Sequence, residues 1–147
     1  MRVLEAALVR LEAEGLAVRA RSAVIGSAPL GPSIRRYANA AAVVETALAP
    51  VPLLALLKRI ESAFGRRQGG RRWGARVLDL DIVLWSGGRW ASPGLTLPHR
   101  AFRERLFVLG PAAEIAPHWR DPAPGRTRGH TLRQLAARLT RPGRLPR

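Results

Sequence analysis

The chain has 147 residues, 47% of them hydrophobic, and a formal charge of +15. That length suits one domain with a real core, and no run approaches the roughly 18 unbroken apolar residues of a membrane span. There is no cysteine, which excludes disulfides, zinc–thiolate sites and thiol catalysis.

The start, Met1-Arg2-Val3-Leu4-Glu5, carries an acid where a secretion signal runs apolar, and the expected location is the cytoplasm. The charge comes from 24 arginines and one lysine, Lys58. Arginine clusters bind polyanions such as nucleotides and nucleic acids. A base-composition bias toward arginine gives the same total while only solvating the surface. The crowding of arginines into a few short segments speaks for the first reading; for the total charge both stay open.

In chain order, Val3, Leu4, Ala7, Leu8 and Leu11 recur at helical spacing and predict a helix over Arg2–Glu14, stopped by Gly15. Leu16–Ile25 alternates like a strand, with Leu16, Val18, Ala20 and Ser22 on one side. Gly26–Arg36 reads as loop and Tyr37–Leu48 as a strand. Pro52–Phe64 is a helix with Leu53, Leu56, Leu57 and Ile60 on one face. A basic, glycine-rich loop, Gly65–Arg76, precedes a strand over Val77–Trp85 and a Ser86-Gly87-Gly88 turn. A loop with Pro93, Gly94 and Pro98 follows. Glu104–Ile115 is a helix that Gly110-Pro111 should kink or split. Pro117–Gly129 is loop, and Thr131–Leu139 is a short helix with Thr131 as its N-cap. Residues 1–140 form one domain in this reading, and Arg141–Arg147 is a frayed basic tail. The order of elements implies an α+β fold, a mostly antiparallel sheet with helices on it. His118 and His130 read as surface, and Trp85, Trp90 and Trp119 as packing.

Two acids stand out in Asp79-Leu80-Asp81. On a strand they share one face, about 7 Å apart at Cα, with Leu78, Leu80 and Ile82 divided between burial and the other side. Like charges that close repel unless a cation compensates. Magnesium takes hard oxygen ligands, commonly one or two carboxylates with water and substrate phosphates. Two solvent-facing acids on an edge strand are the plain alternative. The preceding loop holds five arginines in its twelve residues, Gly65 to Arg76. Arginine forks match phosphate oxygens, and glycines let a loop close over substrate. A cation-rich lid beside a carboxylate pair is what phosphoryl transfer needs. No Walker loop exists, since no glycine-rich phosphate motif precedes Lys58, and a kinase strand lysine is missing too.

Arg72-Trp73-Gly74-Ala75-Arg76-Val77-Leu78-Asp79-Leu80-Asp81-Ile82-Val83 resembles the signature of the 6-hydroxymethyl-7,8-dihydropterin pyrophosphokinase family of the folate pathway. Ser27–Pro32, Tyr37–Ala41, and Leu97-Pro98-His99 with Arg105-Leu106-Phe107 resemble the same family in the same order. The likeness runs from about Leu4 to Pro117. It implies a ferredoxin-like antiparallel sheet and transfer of diphosphate from ATP to the pterin hydroxymethyl group, with release of AMP. By that resemblance Asp79 and Asp81 hold two Mg2+ ions. Tyr37 and Phe107 sandwich the pterin, Asn39 reads its edge, and Ser27, Pro29 and Leu30 supply further pterin contacts. Arg66 and Arg76 grip the phosphates, while Glu61, Trp73, Ile82, Thr96, His99 and Arg105 lie on the ATP side. Small-molecule substrates, a monomer, no membrane and no nucleic-acid partner are the corresponding expectations. The family opens with a central strand and a Gly-Ser-Asn-Leu-Gly loop ahead of its first helix, whereas this chain starts inside that helix. A start placed about 15–20 residues late, at ~3.3 Å per strand residue plus a turn, is favoured over a decayed copy. The expectation is that the chain as given folds poorly and turns over slowly, while an upstream-extended form is active. An inactive homologue and a basic nucleic-acid-binding module are the alternatives.

Overall fold

The structure, a computed structural model, describes residues 2–27, 37–66 and 78–141. The chain divides into two compact units, Met1–Arg19 with Val44–His99, and Ala20–Val43 with Arg100–Arg147.

In the first unit, α1 (Arg2–Ala13) buries Ala7 and Leu11 and half-buries Leu4 and Leu8. Gly15 ends it at a φ of 92°, and the chain turns so that the Leu16 N–H bonds the Leu11 carbonyl. A residue with a Cβ would be strained there. The second helix, α2 (Pro50–Arg66), starts two residues before the expected Pro52. Pro50 and Pro52 fall in its first turn, where a missing N–H costs nothing. Leu53, Leu56, Leu57, Ile60 and Phe64 follow at helical spacing and are all buried, with Ala7, Leu11, Leu16 and Leu78 in the same apolar cluster.

The segment 78–84 departs from expectation. Side chains alternate as on a strand: Leu78 is buried, Leu80 and Ile82 pack on the core, and Asp79 and Asp81 are exposed. All three apolar groups thus serve the core. Yet no strand ladder forms on this segment among the described residues. A strand needs a neighbour for its backbone groups. Here the Leu80 N–H instead donates to the Glu61 carboxylate, and the Val83 carbonyl accepts the His99 N–H at 2.9 Å.

The Ser86-Gly87 turn is as expected and closes on a Trp85–Gly88 bridge. A Cβ at Gly87 would run into the Trp85 ring. The expected loop around Pro93 is a hairpin of β5 (Trp90–Ser92) and β6 (Leu95–Leu97), antiparallel, with Trp90 opposite Leu97. Pro93-Gly94 makes the turn, Gly94 having a φ of 81°. Leu95 and Leu97 are buried between exposed Thr96. Trp85 and Trp90 meet edge to face at 5.7 Å, which fits their packing role.

The two expected strands on either side of residues 28–36 are each broken in two: β1 (Ala17–Arg21) and β2 (Ile25–Ser27), then β3 (Tyr37–Asn39) and β4 (Ala42–Glu45). β1 pairs with β4, and β2 pairs antiparallel with β3. Ser22 explains the break between β1 and β2. It is buried, its hydroxyl accepts the Ala41 N–H and donates to the Ala23 carbonyl, and its N–H reaches the Ala41 carbonyl. A side chain has taken over bonds a regular ladder would make.

In the second unit a 3-10 turn, Phe102–Glu104, leads into α3 (Leu106–Ile115). The expected helix is split at Arg105, whose backbone is extended, and not at Gly110-Pro111: Pro111 lies inside a continuous α3 and is buried. α4 (Leu132–Thr140) carries the expected cap. The Thr131 hydroxyl accepts the Gln134 N–H and the Gln134 side chain accepts the Thr131 N–H. Phe102, Leu109, Ala112, Ala116, Leu132 and Leu135 are among the buried apolar groups of this unit.

The polar centre of this unit is Asp121, which is 1% exposed. Arg103 grips it with two N–H groups, Nε to Oδ2 and Nη2 to Oδ1. The Thr127 hydroxyl and the Ala123 N–H also donate to it, and its backbone bonds Gly129 and His130. Two expectations change here, one for a surface residue and one for a packing residue. His130 is half-buried with Nδ1 fully enclosed, because its backbone is tied into this loop. Trp119, read as packing, is 39% exposed. Helices with small antiparallel sheets make the fold α+β. No helix among the described residues is long and apolar enough to cross a membrane.

Candidate functional site

In the first unit the candidate residues converge on segment 78–84. The alternation that sends Leu78, Leu80 and Ile82 to the core turns Asp79 and Asp81 outward. Glu61, on α2 one turn before Phe64, holds the Leu80 N–H at 2.6 Å with Oε2. Its Oε1 lies 3.3 Å from Lys58 Nζ. His99, just after the buried Pro98, is half-buried and ties its N–H to Val83. Thr96 is exposed on β6. Thus Asp79, Asp81 and Ile82 lie on one segment that Glu61 reaches through the Leu80 N–H and His99 through the Val83 carbonyl, and Thr96 stands three residues before His99.

In the second unit, Ser27 and Tyr37 are register partners across β2 and β3, and Asn39 is opposite Ile25. The Arg105 guanidinium lies 5.8 Å from the centre of the Phe107 ring, within cation–π range. Arg66 is the last residue of α2. Pro29, Leu30, Trp73 and Arg76 lie outside the described residues, as does most of the arginine-rich loop.

Two outward carboxylates on a pinned backbone suit a magnesium ion, which takes one or two carboxylates and completes its shell with water and phosphate oxygens. Among the described residues no three or more histidine, aspartate or glutamate side chains gather to hold a metal on their own. The donor set fits an ion shared with a phosphate ligand and not a closed structural site.

Asp121 carries no signature in composition or motif. Burial pushes its carboxyl up, but the hydrogen bonds from Arg103, Thr127 and Ala123 outweigh that and hold it below the usual aspartate range. The same bond raises Arg103 above its ordinary value. A lone aspartate in a Pro/Gly-rich loop gives no local signal, and its partner is 18 residues away.

A family model described as 7,8-dihydro-6-hydroxymethylpterin-pyrophosphokinase (HPPK) matches residues 1–117. The 2-amino-4-hydroxy-6-hydroxymethyldihydropteridine pyrophosphokinase of Methylorubrum extorquens is 43% identical over 126 residues, covering 85% of this chain and 75% of that protein. The protein of the same name from Synechocystis is 39% identical over 113 residues, 77% of this chain and 57% of that one. An Arabidopsis thaliana folate synthesis bifunctional protein is 42% identical over 80 residues, 54% of this chain and 16% of its own length. The chain therefore spans three quarters of the first relative, little more than half of the second and a small part of the third. It belongs to the HPPK family.

Proposed function

We propose that this chain transfers diphosphate from ATP to the hydroxymethyl group of 6-hydroxymethyl-7,8-dihydropterin, giving AMP and the pterin diphosphate in folate biosynthesis. The observation that carries this reading is the exposed Asp79–Asp81 pair inside the segment that resembles the family signature, within residues the HPPK model matches. The activity belongs to one domain, residues 1–140, with a ferredoxin-like sheet and a basic tail, working as a cytoplasmic monomer.

Asp79 and Asp81 would hold two Mg2+ ions. Bound there, the ions would neutralise triphosphate charge and clamp attacking and leaving oxygens. The rest is work for the chain's own side chains. Arg66 and Arg76 grip the phosphates, since guanidinium forks match phosphate oxygens. Tyr37 and Phe107 stack on the pterin, worth about 1 kcal/mol beyond burial. Asn39 offers both donor and acceptor to the pterin edge, with Ser27, Pro29 and Leu30 beside it. Trp73, Ile82, Thr96, His99 and Arg105 line the ATP side; the Arg105 side chain, already over Phe107, stands next in space to the pterin's stacking partner.

The test is AMP release from ATP, magnesium and hydroxymethyl-dihydropterin. The wild-type chain should form AMP only when all three are present. Asp79→Ala and Asp81→Ala should each lower the rate by about 10²–10³-fold, the scale of removing one preorganised charge stabiliser. A folded chain that forms no AMP, yet binds RNA with steep salt dependence, is instead a basic nucleic-acid module.

A further inference from the structure

Glu61 occupies an unusual place for a residue expected on the ATP side. Its side chain is 13% exposed, on the edge of the buried stripe of α2. Oε2 accepts the N–H of Leu80, the residue between Asp79 and Asp81, at 2.6 Å. Oε1 faces Lys58 Nζ at 3.3 Å. Both oxygens are therefore engaged by groups of the protein, one at the backbone and one at an exposed lysine. Segment 78–84 has no ladder among the described residues; a further backbone bond lies beyond the two acids, from the His99 N–H to the Val83 carbonyl, and the Leu80 and Ile82 side chains meet the core through apolar contact. Such contact resists lifting off the core but tolerates sliding along it. A directional bond from a charged acceptor fixes the backbone along its length.

We propose that Glu61 is a positioning residue for Asp79 and Asp81: by holding the Leu80 N–H it sets the backbone between the two carboxylates, and it does so in place of touching ATP. This rests on the reading of the two aspartates as the magnesium ligands. The physical requirement is general. Metal-binding carboxylates must be oriented before the ion arrives, and the groups that orient them matter nearly as much as the ligands. Without its acceptor the Leu80 N–H turns to water, and the two carboxylates lose their fixed spacing.

The experiment is calorimetry of the full chain with a non-hydrolysable ATP analogue, with Mg2+ and with EDTA, alongside hydrogen exchange at the Leu80 amide. Glu61→Ala should weaken magnesium-dependent binding by roughly 10–100-fold, the usual cost of losing an outer partner of a metal ligand. Binding without metal should stay within about twofold, which RT ln 2 converts to about 0.4 kcal/mol. The Leu80 amide should exchange faster. Glu61→Gln, whose amide oxygen still accepts the Leu80 N–H, should recover most of the lost affinity. An equal loss with and without magnesium, with Leu80 still protected, would make Glu61 an ATP contact and overturn the proposal. So would a lower melting temperature with unchanged magnesium-dependent affinity of the folded protein. If Glu61→Ala does not fold, an unprotected Leu80 amide in the wild-type chain overturns it equally. Asp79→Ala is the separate control: unchanged magnesium dependence there removes the metal-ligand reading itself, whereas a loss at Asp79 without a loss at Glu61 removes only the positioning role.

Discussion

The two units are held together by different chemistry. The first rests on a continuous apolar cluster, from Ala7 and Leu11 of α1 through Leu53, Ile60 and Phe64 of α2 to Leu78. The second also buries Phe102, Leu109, Leu132 and Leu135, but its loop from Asp121 to His130 is organised by one carboxylate. Apolar packing is non-directional and graded, so small volume changes are felt in proportion. A buried charge is all-or-none: with every partner present it is tolerated, and with one missing it is a liability. The contrast also divides the functional residues. The candidate metal ligands are presented by the apolar unit, where Leu78, Leu80 and Ile82 set which way the acids face.

Near-isosteric substitutions sharpen this comparison most. Asp121→Asn keeps the shape but turns one oxygen into a donor facing the Arg103 guanidinium. It should cost about 3–5 kcal/mol, the range for breaking one side of a buried pair. Ile60→Val, at a side chain 1% exposed, should cost only about 0.5–1.5 kcal/mol. Urea unfolding followed by amide protection in each unit checks both. The double change Asp121→Leu with Arg103→Met should recover only part of the loss, because the Ala123 N–H and Thr127 hydroxyl are left without their acceptor. Equal costs for Asp121→Asn and Ile60→Val would break the distinction between the units.

Acid provides a second handle. The Asp121 carboxyl is held below its ordinary value in the fold. The unfolded chain, with a carboxyl near pKa ~3.9, then binds more protons than the native chain between the two values. Stability from this group is full above the unfolded pKa and falls as pH drops through the folded one. Protection of the second unit should decline below about pH 4, and this increment should vanish in Asp121→Asn. Ile60→Val should leave it in place. A wild-type loss that begins near neutrality would assign it to another group.

The same contrast explains what was legible in the sequence. Both long helices were, because Leu53, Leu56, Leu57 and Ile60 recur with the period of the backbone itself. The α4 cap was legible for the same local reason, Thr131 and Gln134 being three residues apart. That Asp79 and Asp81 share one face followed from alternation alone. Whether 78–84 belongs to a ladder did not, since that depends on a neighbour the segment does not encode. The hairpin at Trp90–Leu97 was hidden by its shortness: Leu95-Thr96-Leu97 offers one period of alternation, and Pro93-Gly94 reads equally as plain loop. Least legible were Ser22 and Asp121. Their bonds run to Ala41 and Arg103, 19 and 18 residues away, and a short polar side chain gives no periodic trace.

The smallest expected effect tests whether local and long-range polar bonds in the second unit are independent. Thr131→Ala removes the hydroxyl that accepts the Gln134 N–H at 3.1 Å. A lost cap of this kind costs about 1 kcal/mol, well under the Asp121→Asn figure. Yet Thr131 also forms a bridge with Arg120, and the Leu132 N–H bonds the Trp119 carbonyl, so the start of α4 is tied to the chain entering the Asp121 loop. If cap and carboxylate act separately, Thr131→Ala and Asp121→Asn should add within about 0.5 kcal/mol in a double-mutant cycle. A combined cost smaller than that sum would mean that the Asp121 loop is what holds Thr131 in its capping geometry. The polar unit would then be a single cooperative network, and its contrast with the graded apolar unit would be larger than single substitutions reveal.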